Sequence, residues 1–226
     1  AYDLVGLSTP IELGAVNRVT TAGFHAAGKG INVAKVLKSL GIDVTVGGFL
    51  GKENQDGFQK EFSEAGIANR FQMVEGRTRI NVKLTEPSGK VTDFNFSGFE
   101  ITKQDWTRFV NDTLSWAGQF DMICVSGSVP PSIDLNDFTA WMKRLRSECM
   151  CLIFDSSREA FVAGLKALPW LVKPNHHELE IWAGRPLPEL SDVVQAAHEL
   201  RQQGIAHVVI SLGEQGAMWV NASGAW

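Results

Sequence analysis

The amino-acid sequence predicts an α/β fold with a mostly parallel central sheet and a small β-sheet lid. Near-continuous apolar runs, such as 120–125 and 206–212, alternate with amphipathic helical stretches, which is typical of parallel strands covered on both faces. Two other segments, about 2–20 and 71–99, have shorter or alternating apolar patterns that predict the lid. With 226 residues and 44% hydrophobic content, the chain can bury a large core, so we expect one domain over 1–226.

The first predicted helix follows a glycine-rich turn at 27–30. We expect Gly28 and Gly30 to adopt backbone angles that a side chain would forbid, so that the first N–H groups of the helix point at an anion beside Lys29. The helix is predicted to pack through one apolar stripe and to stop at Gly41. The stripe consists of Val33, Val36, Leu37 and Leu40.

The same turn comes close to a phosphate-binding P-loop, because residues 23–30 read G-x-x-x-x-G-K-G. A P-loop requires Ser or Thr after the lysine to hold Mg²⁺, and it follows a buried apolar strand. Gly30 has no hydroxyl, and residues 16–22 are too polar for a central parallel strand. The sequence therefore favours an anion-binding turn of another family, with a purely structural glycine turn as the alternative.

A strand over 44–50 and a helix stopped by Gly66 come next, and a hairpin follows them. Residues 77–84 and 91–96 alternate strictly on either side of a turn at 87–90. With a period of two, Arg79, Asn81 and Lys83 share one face of the first strand. Because this face carries two cations and an amide, we interpret it as ligand-facing, and the alternative is a solvated sheet face.

The second half of the chain predicts further βα units. Strands are expected over 120–125, 151–155, 170–175 and 206–212 and from 218, with helices over 102–110, 138–145 and 191–200. Polar or glycine-bearing loops follow the strands at 126–128, 155–157, 173–178 and 211–213. Since ligands of parallel sheets collect where the strands end, these loops, together with the basic hairpin and the anion-binding turn, predict a small-molecule site that includes a phosphate.

Charge and cysteine content limit the class of protein. The net charge of −4 and the pI near 5.8 argue against a nucleic-acid or membrane partner, and no leader or membrane span is visible, so we expect a cytoplasmic protein. Cys124, Cys149 and Cys151 are predicted to be reduced core thiols. His176 and Glu180 could share a helical face, but no further histidine completes a zinc site, so they are better interpreted as ordinary helix-start residues.

Five motifs in this order resemble the ribokinase-like carbohydrate kinases of the PfkB family, over essentially the whole chain. They are Gly28-Lys29-Gly30-Ile31-Asn32-Val33-Ala34, Thr78-Arg79-Ile80-Asn81-Val82-Lys83, Ser126-Gly127-Ser128-Val129-Pro130-Pro131, Val172-Lys173-Pro174-Asn175-His176-His177-Glu178-Leu179 and Ser211-Leu212-Gly213-Glu214-Gln215-Gly216-Ala217. The resemblance implies a three-layer ribokinase-like α/β fold. The hairpin motif is similar to that of the branch that phosphorylates sugar phosphates.

The resemblance also implies a role for individual residues. Asp3 matches the aspartate that holds sugar hydroxyls, and Arg79 and Arg18 match basic residues that grip the phosphate already on the substrate. Further substrate-binding positions are Gly28, Lys29, Asn32, Asn81 and Ser126. The nucleotide-binding positions are Lys173, Asn175, Ser211, Gly213 and Gly216. Asn175 and Glu178 match the Asn-x-x-Glu element that organises Mg²⁺ through water.

The implied reaction transfers the γ-phosphoryl group of ATP to fructose 1-phosphate, with Mg²⁺, in a homodimer joined through the lid. A kinase for tagatose 6-phosphate or fructose 6-phosphate is one alternative, and a non-catalytic sugar-phosphate-binding protein is another. The family's catalytic aspartate belongs to a Gly-Ala-Gly-Asp motif, and this motif is absent as far as Trp226. We therefore assign no catalytic residue and expect a truncated chain with almost no activity.

Overall fold

The computed structural model describes residues 1–226, which form two compact units, Ala1–Thr102 and Lys103–Trp226. The first unit contains β1 (Tyr2–Ser8), β2 (Val19–Ala26), α1 (Lys29–Ser39), β3 (Thr45–Gly51), α2 (Asp56–Ala65), β4 (Ala68–Val74), β5 (Ile80–Thr85) and β6 (Val91–Asn95). The second contains α3 (Lys103–Ala117), β7 (Ile123–Ser126), α4 (Leu135–Glu148), β8 (Leu152–Asp155), α5 (Arg158–Leu165), β9 (Leu171–Val172), α6 (His176–Ala183), α7 (Leu190–Gln202), β10 (His207–Ser211), β11 (Ala217–Asn221) and β12 (Gly224–Ala225).

A four-stranded sheet in the first unit, with strand order β2-β1-β5-β6, covers most of the two segments predicted to form a lid, and we call it the lid sheet. Residues 71–74 lie instead on β4, which pairs with β3. β5 and β6 pair antiparallel with Lys83 opposite Asp93, which confirms the predicted hairpin. β5 begins at Ile80, and not at residue 77 as expected, because the backbone N–H and C=O groups of Thr78 bond to the side chain of Asn54. The N-terminal part of the lid also runs further than expected, since β2 continues to Ala26.

The core of the first unit lies where α1 and α2 pack on the parallel pair β3–β4 and on one end of the lid sheet. Phe58 and Phe62 are almost fully buried on α2, and the Tyr2 ring lies 4.4 Å from that of Phe58. The helix ends at Gly66, which has a left-handed backbone with φ 63°, as the sequence predicted.

The packing face predicted for α1 is wrong. Val36 and Leu40 are 60% and 70% exposed, whereas Ile31 and Ala34 are 5% and 2% exposed. Ile31 and Ala34 lie three residues apart on the side that joins the core, and the small Ala34 side chain lets the helix backbone come close to its neighbours. The predicted stripe therefore lies on a neighbouring sector of the helix. Gly41 follows the helix with φ 80°, as predicted.

The second unit contains a six-stranded sheet with strand order β12-β11-β10-β9-β8-β7. The four strands from β7 to β10 are parallel, and β11 and β12 add antiparallel to them, which fits the predicted βα units. β7 starts later than expected, at Ile123, because α3 ends in a turn in which Phe120 N–H donates to Ala117 O. α7 starts earlier, at Leu190, since Glu189 N–H donates to the Asp192 side chain at the helix start.

The cysteine expectation holds only in part. Cys149 is buried and its thiol contacts the carbonyl oxygens of Phe120 and Asp121 at 3.6 and 3.7 Å. Cys151 is half-buried, and Cys124 is exposed, because it lies on β7 at the edge of the sheet. Among the helices, the longest has 15 residues, and none has the length and apolar character needed to cross a membrane.

Candidate functional site

In the first unit, three predicted site segments meet at one end of the lid sheet. Tyr2 pairs with Ala26 on β2 and with Ile80 on β5, so the start of β1, the end of β2 and the start of β5 lie side by side. The turn that follows β2 remains attached there, because Ala27 N–H donates to Ala1 O at 2.9 Å. This end of the sheet therefore brings together Asp3, Arg79 and Asn81 with the turn at 28–29.

Gly28 is the N-cap residue of helix α1 and has a backbone conformation that favours glycine, with φ 139° and ψ 146°. A Cβ at this position would lie 4.0 Å from Ile31 Cδ1, so there is space for a side chain. The glycine is therefore required by its backbone angles. No acidic residue lies in the first turn of α1, which leaves the positive end of the helix suited to an anion. Gly30, in contrast, is an ordinary helical residue without positive φ, and that part of the prediction is wrong.

Asp3 and Asn81 form a polar pair across the parallel strands β1 and β5. The two residues are in register, and Asn81 Nδ2 donates to Asp3 Oδ1 at 3.1 Å. The other amide atom, Asn81 Oδ1, is buried and accepts no hydrogen bond. Leaving a buried acceptor unsatisfied costs about 1–3 kcal/mol, so this atom is suited to accept a hydrogen bond from a hydroxyl group of a ligand.

The cations of the predicted substrate site have different surroundings. Arg79 is half-buried, and its carbonyl oxygen accepts from Tyr2 N–H at 2.8 Å. This backbone contact places Arg79 next to the start of β1, where Asp3 also lies. Lys83 forms an ion pair with Asp93 of the same hairpin, with 3.2 Å between Lys83 Nζ and Asp93 Oδ1.

Two further predicted residues are exposed. Asn32 lies in the first turn of α1 and donates its N–H to Gly28 O at 2.9 Å. Arg18 precedes β2 at the opposite end of the lid sheet, beyond the pair Ser8 and Val19. At about 3.3 Å per residue, this places it roughly 20 Å from the row of Asp3. The structure therefore does not bring Arg18 to Asp3 within this unit.

In the second unit, the predicted nucleotide residues and the predicted substrate residue Ser126 lie at or just after the carboxyl ends of the parallel strands. Ser126 ends β7 opposite Asp155, which ends β8. Lys173 follows β9, its N–H donates to Phe154 O, and its Nζ lies 3.3 Å from Asp155 Oδ2. Ser211 ends β10 and is bridged to the loop after β9 through Ser211 N–H and Pro174 O at 3.1 Å. These side chains therefore lie together at the carboxyl ends of the parallel strands.

Asn175 and Glu178 cap helix α6 reciprocally. Glu178 N–H donates to Asn175 Oδ1 at 2.7 Å, and Asn175 N–H donates to Glu178 Oε2 at 2.9 Å. The second carboxylate oxygen of Glu178 stands outside this cap. Mg²⁺ keeps several waters and is commonly held by one or two carboxylates together with substrate phosphates, so a single glutamate at this edge fits an indirect role. The structure has no cluster of three or more His, Cys, Asp or Glu side chains that could hold a metal.

Gly213 and Gly216 form an exposed one-turn loop after β10. Their φ angles are 63° and 90°, and no atom lies within 4 Å of a Cβ built at either position. Leu212 N–H donates to Gly216 O at 2.8 Å, which closes the loop. The backbone is therefore open to a close-lying phosphate or sugar group.

Three buried side-chain oxygens have no hydrogen-bond partner in the structure: Ser8 Oγ, Asn81 Oδ1 and Ser126 Oγ. Two of them belong to residues predicted from the resemblance to bind substrate. Because buried polar atoms are almost always hydrogen-bonded in proteins, such atoms are often completed by a ligand or by water.

The prediction missed two residues that hold these groups in place. Asp155 is 9% exposed and pairs with Lys173, although the sequence marked it only as part of a polar loop. Asn54 holds the residue before Arg79, and no pattern in the sequence singled it out. His176 and Glu180 both bond the backbone of Leu187, so they hold the turn after α6.

Comparison with known proteins places the chain in a family. The family described as pfkB family carbohydrate kinase matches residues 1–226. The chain belongs to this family. It is 75% identical over 226 residues to the 1-phosphofructokinase of Escherichia coli strain K12, and the match covers 100% of this chain and 72% of that protein. It is 49% identical over 224 residues to the 1-phosphofructokinase of Haemophilus influenzae, covering 99% of this chain and 72% of that protein.

Solved structures of similar proteins have the same α/β ribokinase-like fold. Phosphofructokinase-2 from Escherichia coli, solved in complex with fructose-6-phosphate, matches with a TM-score of 0.89 at 26% identity, over 100% of this chain and 75% of that one. Ribokinase from Giardia lamblia matches with a TM-score of 0.83 at 17% identity, over 100% and 73%, which supports the fold alone. The predicted fold class is confirmed.

Proposed function

We propose that this pfkB family chain carries the binding residues of an ATP-dependent kinase that phosphorylates fructose 1-phosphate to fructose 1,6-bisphosphate. The observation that carries the proposal is the Asp3–Asn81 pair with its unsatisfied acceptor, at the same end of the sheet as Lys29 and Arg79. A carboxylate and an amide suit sugar hydroxyls, and a helix start with two cations suits a phosphate. The identity of 75% to a 1-phosphofructokinase supports the choice of sugar.

The second unit is proposed to bind ATP with Mg²⁺. Lys173 would attract the phosphates, the loop of Gly213 and Gly216 would let the nucleotide approach the backbone, and Glu178 would act on Mg²⁺ through water. In phosphoryl transfer, protein groups mainly position the reactants and stabilise charge, so these residues would align ATP for the reaction. None of them is proposed as the base, and the 226 residues contain no Gly-Ala-Gly-Asp sequence.

The reaction can be tested with a chimera in which the C-terminal segment of the Escherichia coli K12 relative follows Trp226. ADP release is measured in a coupled assay with fructose 1-phosphate, fructose 6-phosphate and tagatose 6-phosphate. We expect fructose 1-phosphate to give the highest kcat/KM, and the chain alone to bind this sugar in calorimetry with almost no turnover. A higher kcat/KM for either 6-phosphate would contradict the substrate. An inactive chimera that still binds sugar phosphate would favour the non-catalytic alternative.

The phosphate grip is tested by Arg79→Ala. Charge-assisted hydrogen bonds contribute about 1.5–3 kcal/mol, so we expect the Kd for fructose 1-phosphate to rise by about 10- to 100-fold. Arg77→Ala is a matched control, because the neighbouring Arg77 side chain is exposed and lies 3.5 Å from Glu53. Equal affinity of the Arg79→Ala variant and the unchanged chain would refute the role of Arg79.

We further propose that two copies associate through the apolar face of the lid sheet. Phe24, Leu4, Val82 and Phe94 stand in one row across all four strands, and Phe24 and Phe94 are 52% and 46% exposed. Changing Phe24 and Phe94 together to serine should halve the mass measured by sedimentation. Val36→Ser serves as the control, because Val36 is an apolar residue on α1 that is 60% exposed, and a dimer that survives the double change excludes this face.

A further inference from the structure

Thr78, the residue before Arg79, is held by the side chain of Asn54. Asn54 Nδ2 donates to Thr78 O at 2.9 Å, and Asn54 Oδ1 accepts from Thr78 N–H at 2.9 Å. Thr78 itself is 3% exposed, and its Oγ1 accepts from Gly51 N–H at 2.9 Å. The Asn54 side chain thus makes the two hydrogen bonds that a neighbouring strand would otherwise make to the backbone of Thr78.

The two segments in this contact lie backbone against backbone. A Cβ on Gly51 would come within 2.5 Å of both Gly76 O and Thr78 N, so only glycine permits this approach. Asn54 is anchored in turn, because its carbonyl oxygen accepts from the Tyr2 hydroxyl at 2.6 Å. Position 54 is therefore fixed from both sides.

Arg79 is held on its other side by β1. Tyr2 N–H donates to Arg79 O at 2.8 Å, at the same end of β1 as Asp3. The backbone of Arg79 is thus fixed between Asn54, acting on Thr78, and Tyr2. These contacts set the backbone from which the Arg79 side chain projects.

We propose that Asn54 is a positioning residue that aims Arg79 at the phosphate of the sugar substrate. This inference rests on the proposed function, in which Arg79 binds that phosphate. Without the amide, two backbone groups of Thr78 lose their partners, and the segment 76–79 relaxes to find others. Arg79 then keeps its charge but loses its fixed direction, so affinity for the phosphorylated sugar falls while nucleotide binding is unaffected.

The test is a double-mutant cycle on the full chain, read by calorimetry with fructose 1-phosphate. Asn54→Ala should raise the Kd about ten-fold, equivalent to about 1.4 kcal/mol, and should leave the Kd for a non-hydrolysable ATP analogue within two-fold. In the Arg79→Ala background, Asn54→Ala should change the Kd less than two-fold, because the arginine that Asn54 positions has been removed. Asn54→Asp keeps the acceptor for Thr78 N–H but places a carboxylate oxygen opposite Thr78 O, so if the alanine variant fails to fold, this variant should likewise raise the Kd for the sugar phosphate and leave that for the ATP analogue unchanged.

Asn69→Ala is the matched control. Its side chain also makes two hydrogen bonds in the first unit, to Gln59 and to Phe71 N–H, but none to the Thr78 segment. Equal loss of sugar-phosphate affinity in Asn69→Ala, or additive losses in the cycle, would overturn the positioning role. If Arg79→Ala itself leaves the Kd unchanged, the proposed phosphate grip fails. If Arg79→Ala weakens binding and Asn54→Ala does not, only the positioning role fails.

Discussion

Replacing Gly28 by alanine tests whether the backbone conformation at the start of α1, and not a lack of space, requires glycine. With φ 139° and ψ 146°, Gly28 lies in a region that residues with a side chain rarely enter, at a cost of about 1–3 kcal/mol. The nearest atom to an added Cβ is 4.0 Å away, so no clash adds to this cost. At about 2–4 °C per kcal/mol for a chain of this length, Tm should fall by about 2–12 °C.

Relief of that strain would also turn the first N–H groups of the helix away from a bound anion. We therefore expect Gly28→Ala to lower both Tm, measured by calorimetry, and affinity for fructose 1-phosphate. Gly118→Ala is the control, because Gly118 has no positive φ and its nearest neighbour would be Glu148 Oε2 at 3.6 Å. An unchanged Tm together with unchanged affinity would refute the assignment of both roles to Gly28.

Phe58→Ala should lower the free energy of unfolding in urea by about 3–5 kcal/mol, since Phe58 is 0% exposed, and a loss below 1 kcal/mol would contradict its place in the core. Asp155→Asn should weaken binding of an ATP analogue several-fold in calorimetry, because the carboxylate holds Lys173 at 3.3 Å, while sugar-phosphate affinity stays unchanged. The Arg185 hydrogen bonds lower the pKa of Glu199, so this pair stabilises the folded chain above the ordinary glutamate pKa and ceases to do so as pH falls through the lowered value. Arg185→Ala should therefore lower Tm slightly at neutral pH and leave it unchanged in acid, and a difference that persisted in acid would exclude the pair as its cause.

Strict alternation made the hairpin of β5 and β6 predictable, because period two fixes both element type and face. The strand that lies on the other side of β5, β1, could not be predicted in the same way. Asn81 pairs with Asp3, 78 residues away, in a parallel register that no local pattern encodes. The resemblance named both residues as substrate-binding, but only the structure shows that one amide atom is used by Asp3 and the other has no partner.

The apolar face of α1 was mispredicted because hydrophobic residues occupy more than one sector of this helix. Lys35 adds to the difficulty, since it is half-buried and its Nζ reaches Ala26 O at 3.1 Å and Glu61 at 2.7 Å. From sequence alone, a half-buried lysine whose ammonium group pairs with a glutamate is predicted to face solvent. The small Ala34, which the predicted stripe left out, faces the core together with Ile31.

The reciprocal cap on α6 means that a loss of activity after truncating Asn175 or Glu178 has two sources. An alanine at either position removes a helix cap, which costs about 1 kcal/mol, as well as any contact with Mg²⁺. Glu178→Gln keeps an oxygen that can accept from Asn175 N–H and removes only the charge. Comparing glutamine with alanine at this single position therefore separates the proposed effect of the carboxylate charge on Mg²⁺ from the contribution of the cap to helix stability.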